Sequence, residues 1–425
     1  MSSVNLKDKS RVGILSLGCP RNLVDSESIL GRLSQKGYPI VDLSQADIGI
    51  VNTCSFIEDA KRESIDAILD LVDLKKDGRL KKIIVCGCLS QRYQDELRKE
   101  IPEVDAFMGK VSLNHDAGRF AITPRHYAYL KICEGCVHAC SYCVIPKIKG
   151  KFTSLAIDSI LDKVKDFDRQ GISELNIIGQ DITGYGLDLY GQRRLTGLLK
   201  KIDKEAKHIG WIRLLYLYPG PEIEELIPLI KDSPGICKYI DLPVQHINER
   251  ILKLMRRNTS KKGILGLIEK IRKDTPDVGI RTSLIVGFPS ETEEEFRELL
   301  DFVKDAKFER LGAFIYSREE GTPAYGFKKQ LPPSVKIRRL NAVMSAQRSV
   351  SEELNKKFLG KTMKVLIDEK QKDYYLARTQ YDAPEVDGSV YVNSKKELKP
   401  GDFAQVKITG TLEYDLIGEV SNEHC

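Results

Sequence analysis

The first hundred residues use one device three times: a short apolar run closes on a cysteine, and a helical pattern follows. The runs are VGILSLGC to Cys19, IGIVNTC to Cys54 and KIIVCGC to Cys88. Strand alternating with helix is the pattern of a parallel sheet covered by helices. Ligands of such sheets gather outside the carboxyl ends of the strands. Three cysteines at three strand ends are therefore expected along one edge. Each precedes a helix start, where the macrodipole favours a thiolate. Cys86 lies inside its run rather than at its end and reads as a small core hydrophobe.

A second region, about 125–330, repeats a longer unit. Its candidate strands are HYAYLKIC, ELNIIGQ, WIRLLYLY, CKYIDL, GIRTSLIVGF and RLGAFIYS. Amphipathic helical patterns separate most of them, over Ser154–Gly171, Leu195–His208, Ser260–Asp274 and Thr292–Ala306. Six strand–helix units predict a partial parallel (β/α)6 barrel with its chemistry at the C-terminal strand ends. The segment QLPPSVKIRRL marks a boundary. Ser334 is expected to cap a joining helix with the stripe Leu340, Val343, Gln347, Val350, Leu354 and Phe358, ending at Gly360. The last 65 residues show five short strands between turn residues, which predicts a small closed, OB-like β-barrel. The fold class is thus α/β: disordered 1–10, a parallel-sheet domain over 11–120, the barrel over 121–330, a linking helix over 331–360, and an all-β module over 361–425.

With 425 residues, 41% hydrophobic and 30% charged, the chain reads as globular rather than disordered or fibrous. No stretch approaches eighteen uncharged apolar residues, and MSSVNLKDKS lacks the apolar core of a signal peptide. A cytoplasmic location is the expectation, with no membrane partner. Disulfides are rare there, so clustered cysteines point to metal or redox work. Four of the ten cysteines fall between Cys133 and Cys143, where an even spread puts about a quarter of one. The segment CEGCVHACSYCVIP parses as CxxxCxxC over Cys136, Cys140 and Cys143, with Cys133 upstream on the alternating strand Tyr127–Cys133. A zinc ribbon wants two CxxC pairs across a longer loop. A ferredoxin order, CxxCxxCxxxCP, is not matched. The better reading is an iron–sulfur cluster on Cys136, Cys140 and Cys143, whose fourth iron stays open.

CxxxCxxC after the first strand of a six-unit barrel resembles the radical S-adenosylmethionine superfamily. By that resemblance, Gly179-Gln180-Asp181 stands where a GGE-type motif meets the cofactor's methionyl amino group. TSLIVGFPSE, with Ile285 and Gly287, resembles the adenine-site pattern, and Gln245 in DLPVQH is a further cofactor-side candidate. Adding SLGCPRN, VNTCSF and CGCLSQR makes the whole chain resemble the methylthiotransferases. The resemblance implies a second [4Fe–4S] cluster on Cys19, Cys54 and Cys88, and a terminal TRAM domain. It also implies an electron-donor protein and a sulfur source.

Two branches of that family differ in substrate: adenosine of transfer RNA, or an aspartate of the basic small-subunit ribosomal protein numbered twelve (the RimO branch). Net charge is +6, yet residues 361–425 carry 9 Lys+Arg against 12 Asp+Glu. Phosphate contacts supply most nucleic-acid affinity, so a negative module disfavours transfer RNA and suits a basic protein. TQYDAPEVDG places Asp382, Glu385 and Asp387 together and resembles the RimO pattern, so these three are the expected docking residues. The resemblance then implies methylthiolation of the aspartyl β-carbon. One S-adenosylmethionine is cleaved to a 5′-deoxyadenosyl radical, which removes the hydrogen. A second methylates sulfur held at the N-terminal cluster. The competing readings are the transfer-RNA enzyme, a radical enzyme whose N-terminal cluster only relays electrons, and a zinc-stabilised RNA-binding protein.

Overall fold

Each apolar run of the N-terminal region is a strand. The computed structural model describes residues 10–111, 113 and 118–421. Residues 1–9 of the expected disordered leader, and Cys425, lie outside the described residues. In chain order the first domain comprises β1 (Val12–Ser16), α1 (Pro20–Gln35), β2 (Ile48–Thr53), α2 (Glu58–Lys76), β3 (Lys82–Gly87), α3 (Cys88–Glu100) and β4 (Ala106–Phe107). The sheet is parallel, in the order β1-β2-β3-β4. All six residues of β2 are buried, which is why its run is apolar without alternation.

The central domain opens with β5 (Tyr127–Lys131), β6 (Cys133–Glu134), α4 (Ile145–Lys149), β7 (Thr153–Ser154), α5 (Ile157–Arg169) and β8 (Glu174–Ile178). It continues through α6 (Leu187–Tyr190), α7 (Leu195–Glu205), β9 (Trp211–Leu214), α8 (Glu222–Asp232), β10 (Tyr239–Asp241) and α9 (Glu249–Leu254). It closes with α10 (Lys261–Asp274), β11 (Gly279–Val286), α11 (Glu293–Ala306) and β12 (Arg310–Ile315). All six predicted strands form. They make two parallel halves, β5-β8-β9 and β10-β11-β12, joined at the seam by the bridge Ile212–Ile236 and by the Leu217 N–H donating to the Asp241 carbonyl. Two predicted helix starts are true caps. Ser260 Oγ accepts from the Gly263 N–H, and Thr292 forms a reciprocal capping box with Glu295. Helix α8 was not foreseen, because Pro228 sits inside it and breaks the sequence pattern.

The strand Tyr127–Cys133 is shorter than expected, and both of its faces are covered. All five residues of β5 are buried. Ala128 and Leu130 pack in the core shared with the surrounding helices. Tyr127 and Tyr129 meet Leu23 and Val24 of α1 and Leu366 and Ala383 of the terminal module. Cys133 belongs instead to β6, which pairs antiparallel with β7.

The linking helix is α12 (Pro333–Asn355), and Ser334 is not its cap. Pro332 takes that position and Pro333 begins the helix, since a missing N–H is harmless in the first turn. Val343, Gln347, Val350 and Leu354 of the stripe are buried. Five strands follow: β13 (Thr362–Lys370), β14 (Tyr375–Thr379), β15 (Val390–Asn393), β16 (Phe403–Thr411) and β17 (Leu416–Val420). They close a barrel, as the turn spacing predicted, and the strands run around it in the order β13-β14-β15-β17-β16. Among the described residues, no helix is long and apolar enough to cross a membrane.

Asp382 and Asp387 of this module are not the free docking residues that the sequence suggested. Asp382 is 1% exposed, and one of its carboxylate oxygens accepts from Arg310 Nε at 2.7 Å. Asp387 accepts from Tyr239 Oη at 2.7 Å and Arg281 Nε at 3.2 Å. Glu385 is exposed, but its carboxylate accepts from Tyr127 Oη at 2.7 Å. All four donors stand on the central barrel, and three of them at strand starts (Tyr127, Tyr239, Arg310). The loop therefore closes the N-terminal mouth of that barrel, and two of the module's negative charges are spent on Arg310, which is buried, and Arg281, which is half-buried.

Removing one partner of a buried ion pair costs about 3–5 kcal/mol. Asp382→Ala is expected to lose that much stability, read by urea unfolding. The loss should be the same at low and high salt, because the pair is shielded from solvent ions; a docking residue would show no such loss.

Candidate cluster and cofactor site

The three N-terminal cysteines meet at the carboxyl edge of their sheet, as the strand pattern predicted. Cys19 is the N-cap of α1 and Cys88 is the first residue of α3. Cys54 follows β2 directly, three residues ahead of the α2 cap Ile57, so the macrodipole argument holds for two of the three. Asn22 ties the edge together. Its Nδ2 donates to the carbonyls of Leu17 and Thr53, both at 3.0 Å, and its Oδ1 accepts from the Cys88 thiol at 3.6 Å. Ser64 of α2 holds Cys54, donating to its carbonyl and accepting from its N–H.

Two glycines make this convergence possible. Gly18, at φ +87°, has no room for a Cβ, which would stand 2.9 Å from Cys54 Sγ. Gly87, at φ +95° and ψ −156°, lies in a region essentially reserved for glycine. A Cβ there would stand 2.3 Å from Asn52 Oδ1 and 2.6 Å from the Thr53 carbonyl.

Cys136, Cys140 and Cys143 occupy the loop between β6 and α4, at the C-terminal end of the first barrel strand. Cys88 packs against Val144 and Ile148, directly after this loop, so the two cysteine sets share one domain interface. A buried quartet reinforces it. Lys149 lies 2.7 Å from Glu134 and 3.4 Å from Asp25, and Lys131 pairs with Asp25 too. On the far side, Arg92 of α3 donates to Glu319, beyond β12, at 2.8 Å.

The nine described cysteines are all free. Among the described residues, no three His, Cys, Asp or Glu side chains close around a point for a single ion. A cluster asks for less closure, because each thiolate binds a different iron. Burial pushes the thiols of Cys88, Cys136 and Cys143 up to about 12, outweighing the opposing charges of Lys149 on Cys88 and of Arg21 and Arg257 on Cys143. Cys54 is raised by burial as well. Cys19 differs: burial pushes it up, but the Arg21 charge and hydrogen bond outweigh burial and hold it below the usual thiol value. Soft, unpaired sulfurs of this kind fit iron–sulfur ligation. Cys133 is fully buried and its thiol donates to the Asp181 carbonyl at 3.5 Å, which sets it apart from the other three.

The cofactor-side candidates all lie at barrel strand ends. Gly179 follows β8, and a Cβ there would stand 2.5 Å from Cys133 Sγ. Gln180 Oε1 is buried without a hydrogen-bond partner. Asp181 is less available. Its Oδ1 accepts from the N–H and hydroxyl of Thr183, and its Oδ2 faces His138 Nε2 at 3.0 Å. Gln245 adopts φ +69°, with its backbone laced into β11 through Ser283 and Ile285. Ile285 is part of an apolar cluster with Tyr142 and Phe288. The Gly287 N–H is already taken by the Glu291 carboxylate.

Several residues escaped the sequence reading. His138 stacks on Tyr218 with centroids 3.6 Å apart, and Arg257 lies over the Tyr218 ring, 4.3 Å from its centroid, while its Nη1 donates to the Tyr142 hydroxyl at 3.4 Å. Arg21 lies over Tyr216, a non-glycine residue at φ +64°. His138, Tyr142 and Arg21 sit inside the cysteine motifs themselves, which was the available signal.

Models of three families match the chain: the uncharacterized protein family UPF0004 over residues 11–109, the radical SAM superfamily over 130–303, and the TRAM domain over 359–420. A ribosomal protein uS12 methylthiotransferase RimO from Clostridioides difficile (strain 630) is 47% identical, covering 97% of this chain and 99% of the relative. The chain belongs to the RimO methylthiotransferase family. A RimO from Bacteroides thetaiotaomicron is 44% identical over 98% of this chain and 99% of its own. The fold also resembles a radical S-adenosylmethionine methyltransferase, TsrM, from Kitasatospora setae, with a TM-score of 0.54 at 12% identity, over 86% of this chain and 80% of that one.

Gly87→Ala is expected to lose about 1–3 kcal/mol, because the backbone region is closed to a side chain. Gly78, at φ +75° with open space around it, is the control. Gly78→Ala should cost only about 1 kcal/mol or less. Urea unfolding of both variants checks the difference.

Proposed function

We propose that the chain transfers a methylthio group to the β-carbon of an aspartate in ribosomal protein uS12, with S-adenosylmethionine and two [4Fe–4S] clusters as cofactors. The observation that carries the reading is the meeting of two triads of unpaired cysteines across one buried domain interface. Cys136, Cys140 and Cys143 hold the cluster that binds S-adenosylmethionine, and Cys19, Cys54 and Cys88 hold the one that carries sulfur. When bound, these groups supply the one-electron and sulfur-transfer chemistry that a C–H bond at an aspartyl β-carbon requires and a positioned base cannot.

The chain's own residues supply placement. Gln180 offers a buried, unpartnered carbonyl oxygen toward the cofactor's ammonium group, the role that the sequence suggested for the whole Gly179–Asp181 turn. Asp181 serves instead to cap the following turn and to face His138. Gln245 and Ile285 line the cofactor's other side, and Gly287 shapes the loop that Glu291 closes. Val144 and Ile148 keep the interface between the triads dry.

The choice of uS12 over transfer RNA rests on the relatives, whose names specify that protein. Asp382 and Asp387 no longer support it, being occupied with Arg310 and Arg281. By this reading the reaction also draws on an electron-donor protein and a sulfur source.

Anaerobically reconstituted protein is expected to hold on the order of eight Fe per chain, as two four-iron clusters require. Replacing Cys136, Cys140 and Cys143 by Ala should halve the iron and abolish cofactor cleavage. Replacing Cys19, Cys54 and Cys88 should halve the iron and leave cleavage measurable. Full iron in the second triple variant would refute the N-terminal cluster. Mass spectrometry of uS12 and of bulk transfer RNA, with and without the gene, decides the substrate: a methylthio increment on transfer RNA alone overturns the assignment.

A further inference from the structure

Arg21 bonds directly to a residue at the working edge of each cysteine domain. From the first turn of α1, its Nε donates to Cys19 Sγ at 3.3 Å. Its Nη1 crosses the interface and donates to the Gly179 carbonyl at 3.1 Å. The guanidinium plane lies 4.3 Å from the centroid of the Tyr216 ring. Tyr216 is held in its left-handed conformation by Asp241, which accepts its N–H at 2.8 Å, and by Ile182, whose N–H donates to its carbonyl at 3.2 Å. The Arg21 charge also acts on Cys54 and on Cys143, so it stands within electrostatic reach of both triads.

We propose that Arg21 is a positioning residue that couples the two halves of the site, orienting the Gly179–Gln180 turn for S-adenosylmethionine while balancing the charge of the cluster bound through Cys19. The proposal rests on the two-cluster reading above. Gly179 is pinned from both sides, with Cys133 Sγ where a side chain would go and Arg21 on its carbonyl. Gln180 follows at once, so the direction of its unpartnered Oε1 depends on that grip. Only a planar fork can serve a sulfur, a carbonyl and an aromatic face together; an ammonium is a single point charge. A cation hydrogen-bonded to a ligand sulfur also raises a cluster's reduction potential, since net charge and hydrogen bonds to sulfur set it.

The test uses the reconstituted holoenzyme with Arg21→Met and Arg21→Lys. Iron content is measured first, then cluster midpoints by an EPR-monitored redox titration. S-adenosylmethionine KM and kcat are then measured for cleavage without protein substrate. Arg21→Met is expected to keep the iron of both clusters, to raise KM about tenfold with a smaller change in kcat, and to lower one midpoint. Arg21→Lys should restore the midpoint and leave KM raised, separating charge from geometry. Parental KM and parental midpoints in Arg21→Met, with full iron, overturn the proposal. So does equal loss of iron from both variants, which would assign Arg21 to the fold alone. A parent chain holding a single cluster fails the two-cluster reading itself, and that is read before any variant is made.

Discussion

Six parallel strands point all their C-termini one way, and this polarity organises the whole molecule. The C-terminal rim collects the CxxxCxxC loop, the Gly179–Asp181 turn, Tyr216, Gln245 and Gly287. The same polarity leaves a mouth at the other end, where Glu174, Arg213 and Arg310 stand at or near strand starts and are buried. Buried charges need partners, and the barrel alone does not supply enough of them. Arg378 of the terminal module reaches Glu174 at 2.6 Å, while Asp382 takes Arg310. The module thus completes the barrel at the end away from the chemistry.

At the rim, the N-terminal domain plays the matching part. Arg21 and Asn22 are adjacent in SLGCPRN and face different tasks. Asn22 gathers the ends of three strands of its own sheet, and Arg21 reaches across to the barrel. A buried lysine–carboxylate quartet and the Arg92–Glu319 pair keep the two domains in register. The site is therefore a property of an interface, with no single domain able to present both triads.

Much of this was legible in the chain. The cysteines that end apolar runs, the six barrel strands and the five strands of the terminal module all formed where local pattern put them, because periodicity and turn chemistry are local properties. Ser260 and Thr292 were readable as helix starts for the same reason. Asp382 and Asp387 were misread because charge in a turn-like segment looks solvated until its partners are known. Those partners, Arg310 and Arg281, lie 72 and 106 residues away in sequence. The fit of Asp181 to a motif likewise said nothing of Thr183, which bonds one of its oxygens, or of His138, which faces the other.

By itself the sequence determined the three-domain order, the direction of the strands and the placing of six cysteines at strand ends. These follow from hydrophobic period, from glycine where the backbone turns left-handed, and from cysteine spacing, none of which needs a distant partner. The tertiary structure alone decided which charged groups are free to act. It buried Asp382 in the barrel mouth, left Gln180 Oε1 without a hydrogen-bond partner, turned one Asp181 oxygen to Thr183 and the other to His138, and set Arg21 between the triads. A side chain's pairing is a long-range event, decided by what the folded chain brings within about 3 Å, and no local pattern records it.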